Sequence, residues 1–322
     1  MRVIETSSTF PLSSVKPLEG LLRYRAYCLS ATRNALKGAA RRRERSAVSD
    51  RHLEPFGDVD GIAYLRCPET GSLFLADLPE PTVWARLLAD VSRYRHSSEA
   101  FHTGLVQSRT DNVYAPKLEW IQDTLRLQGL EKPRILEAVT APSHFTRLLQ
   151  ESGAFAEVLT EDEMDLRMGG RASQAEDPVH AAVLLESLDR VDDPAALLRA
   201  VTDRLAVGGV VFVTALVASG FDMAVLGLRN LYLYPPDRAN CLTVRGLSML
   251  LERSGLTLQE VSTPGVLDVE IVNAHLQRDP SLPLPAFERQ LLGADRDTHE
   301  AFQAFLQQRG LSSFARIAAR KR

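Results

Sequence analysis

From residue 134 to 262, short apolar runs alternate with amphipathic stretches, and few architectures accommodate that order. The segments "ILEA" (135–138), "AEVLTE" (156–161), "HAAVLLESL" (180–188), "VVFVTALV" (210–217) and "LTLQEVS" (256–262) read as strands. Continuous apolar runs of this length suit strands covered on both faces. Between them lie helical patterns. Residues 143–152 place Phe145, Leu148 and Leu149 on one face, with Gly153 at the stop. In "DDPAALLRAVTDRLAVGG", Asp193 is set to cap, Pro194 takes the first helical position, and Gly208 and Gly209 are set to end the helix. Residues 243–255 turn Leu247, Leu250 and Leu251 inward before Gly255. Strands alternating with helices predict a largely parallel sheet with right-handed crossovers.

The flanks differ in character. Residues 17–47 have few helix breakers and are strongly basic, closing on Arg41, Arg42, Arg43 and Arg45, so one basic amphipathic helix is expected there. Residues 58–81 pattern as a hairpin around a "CPETG" turn, followed by helices over 82–97 and about 115–127. The tail from 266 to 322 reads as more helical. This divides the chain into an N-terminal region (1–114), an α/β domain (115–275) and a helical extension (276–322).

Composition excludes several classes. A formal charge of −3 gives no global reason to expect nucleic acid. Cys28, Cys67 and Cys241 are odd in number and far apart, unlike a secreted disulfide framework. No apolar run approaches the roughly 18–20 residues of a membrane span, and the N-terminus lacks a signal-peptide core, so a cytoplasmic protein is expected. No H-E-x-x-H or G-x-S-x-G constellation is present, and Cys241 in "ANCL" reads as a small buried apolar residue.

The stretch "HAAVLLESLDRVDDPAALLRAVTDRLAVGGVVFVT" resembles the fourth strand, its adjoining turn and helix, and the fifth strand of class I S-adenosylmethionine-dependent methyltransferases, and the likeness extends over roughly residues 115–275. "SGFDMAVLG", "YPPDRANCLTVRGLSMLLERSGL" and "TPGVLDVEIV" are similar to the segments after the fifth strand in a bacterial subgroup associated with sugar or small-molecule tailoring. The resemblance implies an α/β fold: a Rossmann-like methyltransferase sheet with flanking helices, preceded by a small helical and hairpin region. "YLRCPETGSLFLADLPEP" looks like the second knuckle of that subgroup's zinc ribbon, with Cys67 kept and Thr70 in place of the second thiolate. Structural zinc takes about four ligands. Cys67 and His52 offer two at most, so no metal is expected.

In the resembling family the turn after the first strand reads acid-x-Gly-x-Gly-x-Gly, letting backbone approach the cofactor. Here Glu137 matches the acid, while Val139, Ala141 and Ser143 occupy the glycine positions. A β-branched Val139 resists positive φ, and Pro142 removes an amide donor, so the usual cofactor pose is expected to be obstructed. By the same resemblance Glu161 matches the ribose-binding acid and Asp177 the acid near the adenine amine. Arg190 and Arg238 stand where the family has histidines, and arginine cannot act as a base. Tyr232, Tyr234, Asp237 and Asn240 come after the fifth strand, where open α/β sheets present ligands. The candidate catalytic set is therefore Arg190, Tyr234 and Arg238, and the candidate cofactor set Glu137, Val139, Ala141, Ser143, Glu161 and Asp177.

These residues are compatible with three functions. The first is methyl transfer from S-adenosylmethionine to a small-molecule or sugar-type acceptor with an atypical cofactor loop. The second is an inactive methyltransferase fold serving as a binding or regulatory subunit of a biosynthetic complex, docking a protein partner through the basic helix 17–47. The third is a repurposed pocket in which Arg190 and Arg238 recognise an anionic ligand.

Overall fold

The computed structural model describes residues 10–97, 105–169 and 178–322. After a short turn of helix at Leu12–Val15, the helix Leu18–Ala35 buries Leu21, Tyr24, Cys28, Leu29 and Thr32 along one side. Five short strands come next: β1 (Ala40–Arg42), β2 (Glu54–Val59), β3 (Ile62–Arg66), β4 (Leu73–Leu75) and β5 (Asp77–Pro79). Helices Pro81–Ser97 and Ala115–Leu127 lead into β6 (Arg134–Ala138), helix His144–Glu151, β7 (Glu157–Glu161), helix Glu163–Arg167 and β8 (Val179–Leu185). Helix Pro194–Arg204 then precedes β9 (Leu205–Leu216). The short β10 (Asn240–Cys241), helix Val244–Arg253, β11 (Leu256–Ser262), three helices over 268–308 and β12 (Phe314–Lys321) complete the chain. No helix among the described residues is long and apolar enough to cross a membrane.

The main sheet has the order β11-β12-β9-β8-β6-β7. Strands β7, β6, β8 and β9 run parallel, and β12 is antiparallel to both β9 and β11. This is the largely parallel, Rossmann-like sheet that the alternation of strands and helices predicts, with an antiparallel strand added at β12. Period-two burial divides the strands between two apolar clusters. Ile135, Ala181, Val183, Val210 and Phe212 face Trp120, Ile121, Phe145 and Leu149 on one side. Leu136, Ala182, Leu184, Val211 and Val213 face Leu197, Leu198 and Leu250 on the other. The second cluster continues without a break into Tyr64, Leu73, Phe74 and Leu75 of the hairpin region. There a four-stranded sheet, β10-β4-β3-β2, takes its edge strand from residues 240–241.

Three expectations are corrected. The basic stretch 17–47 is not one helix: it stops at Ala35, and after Gly38 the exposed β1 pairs antiparallel with β5. Arg41 and Arg42 are exposed, whereas Arg43 turns inward to donate to Asn240 Oδ1 (2.6 Å) and the Asp192 carbonyl (2.7 Å). The tail is not helical throughout, because "FARIAARK" inserts as β12. Gly208 and Gly209 do not end a helix either. Asp193 caps and Pro194 leads as the spacing predicts, but the helix stops at Arg204, and Lys321 Nζ donates to the Thr202 and Leu205 carbonyls at 2.7 Å each. Gly208 instead lies inside β9 at φ +81, and a Cβ on Gly209 would come within 2.9 Å of the Ala206 carbonyl oxygen.

Candidate functional site

Parallel sheets leave their ligand crevice at the carboxyl ends of the strands. A cavity of about 340 Å³ lies at that edge here, lined by Glu137 and Ala138 of β6, by Leu185 at the end of β8 and by Glu186 after it. This volume falls within the roughly 300–1,000 Å³ of small-molecule sites. Residues 139–141 and 143 form one wall, the segment after β9 with Tyr232, Tyr234 and Arg238 another, and the N-terminal residues Lys16, Tyr24 and Arg95 close the top.

The glycine-less loop folds without strain. The positive-φ residues other than glycine among the described residues are Asp50, Asp60, Lys132 and Glu186, none of them in 139–143. Val139 N–H extends the ladder to the Glu161 carbonyl (2.9 Å), and Ser143 caps the next helix, its Oγ accepting from Phe145 N and Thr146 N while Thr146 Oγ1 accepts from Ser143 N. Glu137 is buried, and its Oε2 has no hydrogen-bond partner among the described residues. Burial pushes its pKa up to about 7, against a smaller opposing effect of Thr146.

The other acids expected to hold the cofactor are arranged differently. Glu161 ends β7 beside Ala138, but its carboxylate is ion-paired with Arg204, and it does not line the cavity. Asp177 lies outside the described residues. Glu163, two positions beyond Glu161, is buried against Thr140 Oγ1 (3.2 Å) and Arg190 (3.7 Å).

Arg190, Tyr234 and Arg238 all reach the cavity, yet both guanidinium groups are engaged in the fold. Arg190 donates to the Leu185 carbonyl (2.7 Å) and the Glu186 carbonyl (3.1 Å). Arg238 donates to Glu186 Oε2 (2.6 Å) and the Asp237 carbonyl (2.9 Å), and it lies 3.5 Å from buried Asp189. Burial raises the Glu186 carboxyl pKa, but Arg238, Lys117, Arg190 and Lys16 together outweigh it and hold the group well below the usual carboxylate range. Asp189 is pushed up to about 8 by burial, in spite of Arg238. The Tyr234 phenol stacks edge-on to Tyr24 at 6.2 Å, and burial raises its pKa well above normal. Asp237 accepts from Arg95 and from Tyr24 Oη (3.1 Å) rather than facing the cavity unpartnered. Asn240 holds the Leu188 and Val191 carbonyls at 2.8 Å each.

The structure adds residues that sequence reasoning missed: Lys16, Arg109, Lys117 and Arg316, all cationic, and Asp222. Lys117 carried a readable signal. In "PKLEWIQDTL" it shares a helical face with Trp120, Ile121 and Thr124, and a lysine inside an apolar stripe is unusual. Asp222 is buried, bonded to Asn230 and Ser313, and burial together with nearby Asp268 raises it to about 7. The zinc-ribbon-like turn is closed by protein groups. Cys67 Sγ contacts Ser49 Oγ (3.2 Å), Thr70 Oγ1 donates to Ser72 Oγ (2.9 Å), and no cluster of three metal-ligating side chains occurs among the described residues.

Fold and cavity together define an α/β domain with a ligand-sized crevice at the carboxyl edge of its parallel strands. Residues 114–261 match the family model described as "Methyltransferase domain". Solved structures with similar folds include the 1,6-didemethyltoxoflavin-N1-methyltransferase of Burkholderia thailandensis (14% identity, 83% of this chain and 99% of that one, TM-score 0.43). Others are an S-adenosylmethionine-dependent methyltransferase of Thermotoga maritima (13%, 74% and 98%, 0.38) and one of Mesorhizobium loti (20%, 63% and 97%, 0.36). The chain matches no curated protein sequence.

Proposed function

We propose that this protein transfers a methyl group from S-adenosylmethionine to a small-molecule or sugar-type acceptor held in the 340 Å³ cavity. One observation carries the reading: at the carboxyl end of β6, in the position of the family's acid, the Glu137 carboxyl is buried with an oxygen lacking a partner. A buried polar group without a partner is costly. The α-ammonium of the cofactor's methionine portion would satisfy it. When bound, the cofactor supplies an electrophilic methyl on a sulfonium. The chain would then need to align an already nucleophilic acceptor and keep water out, tasks this reading gives to Tyr234 and the N-terminal residues that line the cavity. The fit is good at the methionine end and poor at the ribose end, where Glu161 is committed to Arg204. A bound cofactor would therefore sit shifted from the family's usual pose. The N-terminal region (1–114) and the extension (276–322) would supply the acceptor side, and three buried free thiols suit a cytoplasmic setting.

The Glu161–Arg204 pair also favours a second reading, a binding subunit that has lost the cofactor. Isothermal titration with S-adenosylmethionine and S-adenosylhomocysteine decides between them. Micromolar binding by the wild type, weakened at Glu137→Gln, supports methyl transfer. Binding that appears only in a Val139→Gly/Ala141→Gly/Ser143→Gly variant supports the binding subunit.

A further inference from the structure

The cavity contains more positive charge than the fold neutralises. Lys117 is 4% exposed and has no ion pair or hydrogen bond among the described residues, its ammonium lying 5.1 Å from the Phe314 ring. Lys16 sits 4.2 Å over the Tyr232 ring, likewise without an acidic partner among the described residues. Arg109 spends its terminal nitrogens on the Val15 carbonyl (3.0 Å) and Tyr114 Oη (3.2 Å), and its buried Nε has no partner among them. Glu186 attracts both lysines without forming an ion pair with either, and the acids around them bond to other groups. Glu186 accepts from Arg238, and Asp268 accepts from Ser312, Ser313 and Gln303. A buried or half-buried cation without an ion-paired partner is costly, and such charges are normally paired.

We propose that Lys16, Lys117 and Arg109 form an anion subsite that seats a carboxylate or phosphate group of the cavity's ligand. The subsite is distinct from Arg190 and Arg238, whose guanidinium groups hold the Leu185, Glu186 and Asp237 segments in place. Lys16 and Arg109 lie outside the 114–261 match, so this charge is brought to the sheet by the chain that precedes it. The inference rests on the reading of this cavity as the ligand site, but not on the cofactor. Burial lowers both lysines to about 8, with Glu186 opposing and Arg109 and further cations reinforcing: Arg238 for Lys16, Arg316 and Lys16 for Lys117. Asp222 faces Lys16 as a further weak opposing charge.

The test is titration of the full chain with inorganic phosphate, glucose 6-phosphate, benzoate and neutral glucose at pH 7.0 and 9.5. The proposal expects at least one anionic probe to bind, at least tenfold more weakly in Lys117→Gln and Lys16→Gln, with Lys117→Arg restoring part of the loss. It also expects binding to weaken as pH rises through about 8, because the lysines lose their protons. A preference for the phosphates or for benzoate identifies the group carried. Anionic and neutral probes binding equally, or none binding, would overturn it, as would anion affinity unchanged in Lys16→Gln, a half-buried position whose substitution leaves the core untouched. Wild-type S-adenosylhomocysteine titration reads the cofactor separately, so failure there removes methyl transfer and leaves the anion subsite standing.

Discussion

A buried carboxyl group with one oxygen unpartnered among the described residues ties stability to pH with a definite sign. Glu137 has its folded pKa raised from 4.5 to about 7. The penalty is absent while both folded and unfolded states are protonated, grows as pH rises from 4.5, and is complete above about 7. Glu137→Gln is therefore expected to be more stable than wild type at pH 8, by at most about 3 kcal/mol, with the difference fading at pH 5. Melting temperatures of both proteins across that range check it, and a pH-independent difference would contradict the assignment. Arg238 tests the opposite sense. Its removal strands Glu186 and Asp189, and losing one partner of a buried pair costs about 3–5 kcal/mol, so Arg238→Ala should destabilise strongly whether or not ligand is present. Denaturant unfolding checks this, and an Arg238→Ala protein of unchanged stability would return the residue to ligand recognition. The position of Glu137 near a strand end was legible in sequence because the strand is local. The cation cluster was not, since Lys16, Arg109 and Lys117 meet only through tertiary packing.

The glycine-less loop 139–143 runs into a capped helix start. Ser143 forms a capping box with Thr146, and replacing such a cap with alanine costs about 1 kcal/mol, with glycine only a few tenths. Ser143→Ala should lower unfolding stability by about that amount while Ser143→Gly changes it little, so the glycine-restored loop variant remains folded and interpretable. Equal losses in the two variants would show that the cap is not what Ser143 contributes. Legibility varies along the elements for a physical reason. The apolar runs of β8 and β9 declare themselves because both faces are covered. In "FARIAARK" the three alanines favour helix and the two arginines read as surface. It is a strand because β9 and β11 hydrogen-bond it on either side, a non-local cause that no window of sequence contains. Likewise Gly208 and Gly209 read as a helix stop, and only Lys321, more than a hundred residues away, reveals how the carbonyls at the true helix end are satisfied.

At the scale of the whole molecule, the hairpin region and the main sheet share one core. The four-stranded sheet borrows β10 from beyond β9, one apolar cluster runs from Tyr24 and Phe74 to Leu247 and Leu250, and Arg43 pins β1's exit to Asn240 and Asp192. Arg253 adds a bond to the Val48 carbonyl at 2.6 Å. A cut at residue 114 would therefore pass through this shared apolar cluster. Domains that fold alone have cores of their own, with few contacts crossing the boundary. The expected behaviour is a single cooperative unfolding transition, with calorimetric and van't Hoff enthalpies in agreement. A fragment of residues 1–114 expressed alone should lack a cooperative melt, because Phe74 and Leu75 lose the partners that bury them. Two resolved calorimetric transitions, or a folded 1–114 fragment, would show instead that the N-terminal region stands by itself. Cooperative coupling would also tie the cavity to the fold, since Lys16, which lines it, lies two residues before the helix Leu18–Ala35, whose buried side belongs to that shared core.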